Sequence, residues 1–559
     1  MTDIAEDTLP SETDTSPSLG MSWLAGAIGA AVALSVGQFA ARFSESIMSL
    51  VFGVGGVLID ITPGDVVATS INNVGTLQKP LLLGGIVLAS LAIGGWLGIT
   101  QRKHAMAIPV GFALFGLFGG FATARDELTS VAGSWVVAIV SAVIGGATAM
   151  ILIMAARRAM QTSTAPEDAI VPGAPLSQST DRRHVLAFGG AAAGAVALTA
   201  IGQTSSTSAA EAAREELLTD AASSSTVPGA APAPQGSPIA LPSGDFDGIP
   251  GISPHIVSIN PEDNFYLIDT ALQKPEVDPS TWSLTINGPY VNNPISYTYD
   301  ELLARPSVDR EVTLSCVSNP VGGSLVGNAI WSGIPITELL EEAGIQDPTN
   351  SQHQFFSRSV DGFTCGFPVP LAYDGRTAML ALKMNGEPLP IIHGFPARLV
   401  IAGLYGYVSA TKWIEEITIT DWIGVDGFWI PRGWSKEGPV KTQSRIDVPA
   451  NRTELPIGTT TVAGVAFSPS IGIEKVEVFV GQDPDESLTN DAAWTEVELA
   501  NVESDETWVQ WRYDWDATPG DWLVRVRATD KDGNTQSPDP VPPAPNGAEG
   551  YPTIVVRVA

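Results

Sequence analysis

Residues 312–323 of the chain read VTLSCVSNPVGG. An apolar strand runs up to Cys316, after which Asn319, Pro320, Gly322 and Gly323 turn the backbone. A cysteine at a strand end, beside loop backbone that can approach a ligand closely, is placed to offer a thiolate to a soft metal. The competing reading is an inert core cysteine, the commoner role of a lone Cys. Further on, residues 393–413 read HGFPARLVIAGLYGYVSATKW and gather His393, Arg398 and Lys412 with the hydroxyls of Ser409 and Thr411. In a chain with 29 Lys and Arg against 60 Asp and Glu, such an island of donors implies an anionic ligand such as a phosphate or a pterin. The alternative is a structural His and Arg paired with core carbonyls.

Around these segments, residues 244–430 alternate short strands and brief helices: strands at 281–286 and 311–316, a capped helix at 300–305, and a helix at 336–343 ending at Gly344. This is a mixed α and β domain. From residue 459 onward the pattern changes to strand-like runs at 459–467, 473–480, 494–499, 508–516, 522–529 and 553–558, separated by Gly, Pro, Asp and Asn. That spacing predicts an all-β sandwich of immunoglobulin type, held by Trp and Val and carrying nothing catalytic. At 559 residues the chain is long enough for three or four structural units. A net charge of −31 excludes nucleic acid as a partner, and 44% hydrophobic against 16% charged residues supplies a core to bury. Two cysteines, Cys316 and Cys365, exclude a disulfide-dense scaffold, a four-cysteine zinc site and an iron–sulfur cluster.

After an acidic tail at 1–20, the N-terminal part, 21–156, reads as a bundle of membrane helices. Charge-free apolar stretches at 22–41, 81–99, 105–124 and 129–156 are each long enough to cross about 30 Å of hydrocarbon at ~1.5 Å per residue. A shorter stretch at 47–59 is expected as a fifth span, with a re-entrant segment as the alternative. Arg102, Lys103 and His104 on one loop, and Arg157 and Arg158 after another span, mark the cytoplasmic side. A cytoplasmic connector, 157–183, ends in Arg182 and Arg183. They precede a small-residue apolar run, 184–202, that is either a last span or a twin-arginine-like export signal. Either way the rest of the chain lies outside the cytoplasm. Residues 203–243 have the Ala, Ser, Pro and Gly composition of a tether, with one helical patch at 211–218. The quoted spans contain no His, Asp, Glu, Lys or Arg, so they anchor rather than hold haem or relay protons.

Taken together, NFYLIDTAL at 264–272, TLSCVSNPVGG at 313–323 and HGFPARLVIAGLYGYVSATKW at 393–413 resemble the sulfite oxidase family of molybdenum enzymes, across roughly residues 253–559. The resemblance makes 244–438 a molybdopterin-binding catalytic domain and 439–559 a dimerisation domain, so that a homodimer is expected. It implies a molybdenum cofactor in which Cys316 ligates the metal. It assigns cofactor holding to His393 and Arg398, to Ser409, Thr411 and Lys412 of SATKW, and to Asp263, Tyr266 and Ser359; Cys365 receives no role beyond the core. The implied chemistry is two-electron oxygen-atom transfer on a small sulfur compound or oxyanion. Sulfite-oxidising members place arginines near the metal, yet residues 317–331 contain none and the NFY turn continues with Leu267. An anionic substrate would therefore lack counter-charge unless Arg432, Lys436 or Lys441 supplied it, and a reductase of sulfoxides or other uncharged compounds is the alternative. A non-catalytic surface binding module is the rival of another class. No CxxCH motif or haem domain is recognised, which implies a separate electron carrier.

Overall fold

The computed structural model describes residues 17–44, 46–74, 77–126, 129–163, 208–223, 241–259 and 265–559. The Arg182–Arg183 pair, the span expected at 184–202 and Asp263 lie outside them. By internal contacts the chain divides into two units, Met1–Ile61 with Lys79–Ser206, and Thr62–Gln78 with Thr207–Ala559.

In the first unit the apolar stretches fold as α1 (Leu19–Ala40) and α2 (Leu50–Ile61). After α3 (Gly64–Val74), which groups with the second unit, come α4 (Gln78–Thr100), α5 (Ala107–Ala124) and α6 (Val131–Ser163). Four of these, α1, α4, α5 and α6, are long and apolar enough to cross a membrane. The fifth expected span is a real helix, α2, but its 12 residues cover about 18 Å at 1.5 Å per residue, short of a full crossing. Small residues let the helices approach: a Cβ on Gly29 of α1 would sit 2.7 Å from the carbonyl oxygen of Gly145 on α6.

From residue 207 onward the second unit opens with a helix that the tether reading underestimates. In α7 (Ala209–Ser223), Ser208 and Glu211 cap the first turn reciprocally, through Glu211 N–H to Ser208 Oγ at 3.1 Å and Ser208 N–H to Glu211 Oε2 at 3.3 Å. Ala210, Ala213 and Leu217 share one face and pack into the main core, while Arg214 Nε donates to the carbonyls of Pro388 and Leu389, both at 3.2 Å. The patch is thus docked on the domain rather than suspended.

Ten strands follow: β1 (Ser283–Asn287), β2 (Ile295–Thr298), β3 (Val308–Ser315), β4 (Val326–Pro335), β5 (His353–Ser359), β6 (Thr364–Pro368), β7 (Ala378–Met384), β8 (Glu387–Pro388), β9 (Arg398–Ile401) and β10 (Ile414–Asp421). They form two sheets, ordered β2-β1-β10-β5-β6 and β3-β4-β7-β8, with β9 pairing β7. The expected helices appear as Tyr299–Leu303, started by a Thr298–Glu301 capping box, and Ile336–Glu342, with Gly344 at φ +69° just beyond it. A continuous core that includes Leu284, Leu314, Trp331, Phe355, Leu380 and Leu399 joins both sheets.

The C-terminal region is β-rich, as its spacing implies. Its strands are β11 (Gln443–Val448), β12 (Glu454–Leu455), β13 (Gly458–Phe467), β14 (Ile473–Gly481), β15 (Thr495–Glu496), β16 (Glu498–Leu499), β17 (Val509–Ala517), β18 (Gly520–Asp530) and β19 (Thr553–Val558). Sheets β11-β13-β17-β16 and β12-β19-β18-β14-β15 bury Val462 and Trp511 of one against Val476, Val524 and Val526 of the other. The run expected as one strand at 494–499 is two short ones, because the chain crosses from one sheet to the other at Val497.

Candidate active site

Strand β3 runs antiparallel to β4 and delivers Cys316 at its end. The Cys316 N–H donates to the Leu325 carbonyl at 2.9 Å, and its own carbonyl accepts from the Asn319 N–H at 3.0 Å, so the turn is closed on both sides of the sulfur. Sγ accepts from the Ser318 N–H at 3.4 Å. Burial pushes the thiol pKa up, and the Ser318 hydrogen bonds pull the other way without cancelling it. A cation beside the sulfur would reverse that balance.

The sulfur lines a cavity shared with Tyr266, Ser359, His393, Arg398 and Lys412. Gly394, at φ +112°, makes this convergence possible, because a Cβ there would sit 3.0 Å from Lys412 Cβ and 3.1 Å from Arg398 Cβ. Arg398 is 5% exposed; its Nη1 donates to the His393 carbonyl at 3.1 Å and its guanidinium lies 4.8 Å from the Trp331 ring centroid. Burial pulls its pKa down to about 10. Lys412 Nζ donates to Asp269 Oδ2 at 2.6 Å and to the Ile392 carbonyl at 3.1 Å, and burial, opposed by Asp269, lowers its pKa to about 7. Lys274 pairs with the same carboxylate. The His393 ring stands edge-on to Phe265, with centroids 5.6 Å apart; burial first, then the charges of Arg398 and Lys412, pull its pKa down to about 3. The imidazole is neutral at ordinary pH. Burial and the nearby Cys316 push the Tyr266 phenol up.

Two expected cofactor residues do not reach the cavity. Ser409 Oγ donates back to the carbonyls of Leu404 and Tyr405 at 3.3 and 3.1 Å, because residues 406–409 form a helical turn. Thr411 Oγ1 is hydrogen-bonded to Ser357 Oγ at 2.8 Å and to Cys365 Sγ at 3.0 Å. Both side chains are fully buried and brace the Lys412 segment from behind. Cys365 is buried in this network and does not line the cavity. Arg432, Lys436 and Lys441 also lie outside the lining: Arg432 Nη1 donates to the Phe428 carbonyl at 2.7 Å, Lys436 pairs with Asp426 at 2.8 Å, and Lys441 pairs with Glu549.

A family model described as "Oxidoreductase molybdopterin binding domain" matches residues 271–429, which include Cys316, His393, Arg398 and Lys412. The uncharacterized oxidoreductase YuiH of Bacillus subtilis is 30% identical over 161 residues, covering 29% of this chain and 76% of that protein. The chain belongs to the sulfite oxidase family of molybdopterin oxidoreductases. Human mitochondrial sulfite oxidase is 27% identical over 314 residues, covering 49% of this chain and 56% of the relative, so the chain spans about half the length of such relatives. The crystal structure of the sulfane dehydrogenase SoxCD from Paracoccus pantotrophus overlaps 60% of this chain and 94% of that one, at 20% identity and a TM-score of 0.45.

The residues present fit the family's cofactor. Among the described residues no carboxylate pairs with the buried Arg398, whose guanidinium meets only carbonyls and the Trp331 ring, so the cavity retains a cation suited to an anionic group. Sequence reading passed over Asp269 and Asp361, both of which line the cavity, and the wall made by Phe363, Tyr407, Trp429 and Trp434. Asp269 lies within NFYLIDTAL, three residues beyond Tyr266; a buried lysine elsewhere in the site was the signal that a carboxylate should be sought.

The buried His393 has a consequence for acid stability. Its folded pKa of about 3 lies below its ordinary 6.5, so between those values the unfolded chain binds the extra proton. Stability is therefore full above pH 6.5 and falls as the pH drops toward 3, by roughly 5 kcal/mol at most for this one group. In urea titrations of the cofactor-free protein, His393→Gln flattens this acid limb relative to wild type. Parallel limbs would show that the imidazole is not held neutral.

Proposed function

We propose that this chain is a membrane-anchored, extracytoplasmic molybdenum enzyme that catalyses two-electron oxygen-atom transfer. The observation that carries the reading is the single cavity joining the Cys316 sulfur to buried Arg398 and Lys412 and the neutral His393. When bound, the molybdenum cofactor supplies the exchange of an oxygen atom and an electron pair with substrate. The chain's own part is placement. Cys316 would be the metal's protein ligand. Arg398 and the Asp269-oriented Lys412 would hold the anionic portion of the cofactor, and Tyr266 and Ser359 line the same cavity. His393 contributes a neutral ring with one donor and one acceptor nitrogen.

The rest of the lining favours an uncharged oxidised sulfur compound, such as a sulfoxide, over sulfite. Phe363, Tyr407, Trp429 and Trp434 supply aromatic surface, and among the described residues no lining cation is left over for a second anion once Arg398 and Lys412 hold the cofactor. A dry oxyanion without counter-charge would cost several kcal/mol. The test is a substrate panel on the purified enzyme, read by the redox state of the metal. Sulfoxides reoxidise the reduced enzyme while sulfite leaves the oxidised enzyme unchanged. Reduction by sulfite would instead select the sulfite-oxidising reading, and purified protein devoid of metal would select a non-catalytic binding module.

The membrane assignment rests on α1, α4, α5 and α6. Arg102 to His104, between α4 and α5, suit the cytoplasmic side, and this puts the segment before α4 on the opposite side. That segment, Thr62–Gln78, groups with the soluble unit, which supports an extracytoplasmic catalytic domain. A separate carrier takes or supplies the electrons. The C-terminal sandwich, read as immunoglobulin-like, is the proposed homodimer surface.

A further inference from the structure

The turn that carries Cys316 is fastened from outside the catalytic sheets. Asn319, 2% exposed, closes the turn by accepting from the Leu325 N–H at 2.9 Å, and its Nδ2 faces Gln443 Oε1 at 3.5 Å. Gln443 belongs to β11 of the C-terminal sandwich, and its Nε2 donates in turn to Tyr405 Oη at 3.3 Å. Two residues along the same strand, Arg445 reaches the other end of the turn, its Nη1 donating to the Gly323 carbonyl at 3.2 Å. The remainder of that guanidinium is fixed by Ser253 Oγ at 2.6 Å and Asp447 Oδ1 at 2.5 Å. The strand before the cysteine is held as well: the Thr313 N–H donates to the Glu506 carbonyl at 2.9 Å, and Thr313 Oγ1 accepts from the Trp508 N–H at 2.7 Å.

This arrangement is expensive for mere packing. Arg445 and Asp447 form an ion pair whose side chains are only 10% and 7% exposed, and such a pair gives little net stability over an apolar substitute. What it provides is direction, because a forked guanidinium fixes a carbonyl in angle as well as distance. The turn between Asn319 and Gly323 cannot be stiffened by larger side chains: a Cβ on Gly323 would sit 2.5 Å from Asn319 Oδ1. Beyond the turn's own hydrogen bonds, further rigidity comes from across the domain boundary.

We propose that Arg445 and Gln443 of β11 are positioning residues for Cys316, so that the sandwich sets the direction in which the sulfur faces the cavity. The proposal rests on Cys316 being the metal ligand, but its first test does not need the metal. In full-length protein prepared without cofactor, the rate of alkylation of Cys316 by iodoacetamide is compared with that of Cys365, which shares no contact with the clamp. Arg445→Met is expected to raise the Cys316 rate about tenfold with the Cys365 rate unchanged, and Arg445→Lys, which keeps the charge without the fork, lies between. Gln443→Leu provides the same test should Arg445→Met fail to accumulate. In cofactor-loaded protein the same variants shift the molybdenum(V) paramagnetic resonance signal, a readout of the metal–sulfur geometry that simple loss of stability does not move. Wild-type Cys316 reactivity and an unchanged signal in both Arg445→Met and Gln443→Leu would overturn the proposal. A changed alkylation rate in protein that never loads metal would keep the clamp and reject the enzyme reading instead.

Discussion

Cys316→Ser is expected to lower oxygen-atom transfer by at least about a thousandfold, equivalent to roughly 4 kcal/mol of barrier, while the chain folds and retains its pterin. A serine hydroxyl is nearly isosteric but remains protonated far above the pH at which a thiol ionises, and it offers the metal a harder and weaker donor. Retention of the pterin is expected because its anionic portion is assigned to Arg398 and Lys412, whose placement comes from β9 and from the segment before β10 rather than from the cysteine turn. Steady-state turnover and cofactor fluorescence after release, measured on the same preparation, separate the two effects. Loss of both together would mean that the sulfur is a packing element whose replacement disturbs the whole cavity.

Arg398→Met is expected to act in opposite directions on the empty and loaded protein. The guanidinium is 5% exposed, and burial depresses its pKa to about 10, so its charge is expected to cost the cofactor-free fold stability. Methionine has a similar length and lies well against Trp331, and removing the charge should stabilise the cofactor-free protein by roughly 1–4 kcal/mol. The same change removes a charge-assisted contact to the cofactor and should weaken its retention about a hundredfold, from the loss of ~3 kcal/mol. Thermal unfolding of cofactor-free samples and molybdenum content of loaded ones give the two readouts. A fall in stability of the empty protein would show that Arg398 is a structural arginine, the alternative that sequence reading leaves open.

The contrast between Arg398 and its neighbours shows how far the sequence was legible. His393, Arg398 and Lys412, which stand out in residues 393–413 as an island of donors in an acidic chain, line one cavity. The hydroxyls of Ser409 and Thr411 belong to the same motif yet face the interior, and that direction depends on a helical turn at 406–409 and on Cys365 arriving from β6. No spacing rule contains that information. Asp269 was missed for a related reason: its partnership with Lys412 joins positions 143 residues apart. The docking face of α7, by contrast, was readable. Ala210, Ala213 and Leu217 recur at helical spacing, and only the surrounding linker-like composition concealed it. In the sandwich the long strands follow the expected runs within a residue or two, whereas the division at Val497 depends on which sheet each half meets.

X-ray absorption at the metal edge, on the purified wild-type chain and on Cys316→Ser, reads the sulfur neighbours of the metal. Molybdenum or tungsten is expected in both preparations, with one sulfur neighbour fewer in the variant. The same number of sulfur neighbours in both, or no heavy metal in wild-type protein from cofactor-supplied cells, would contradict it.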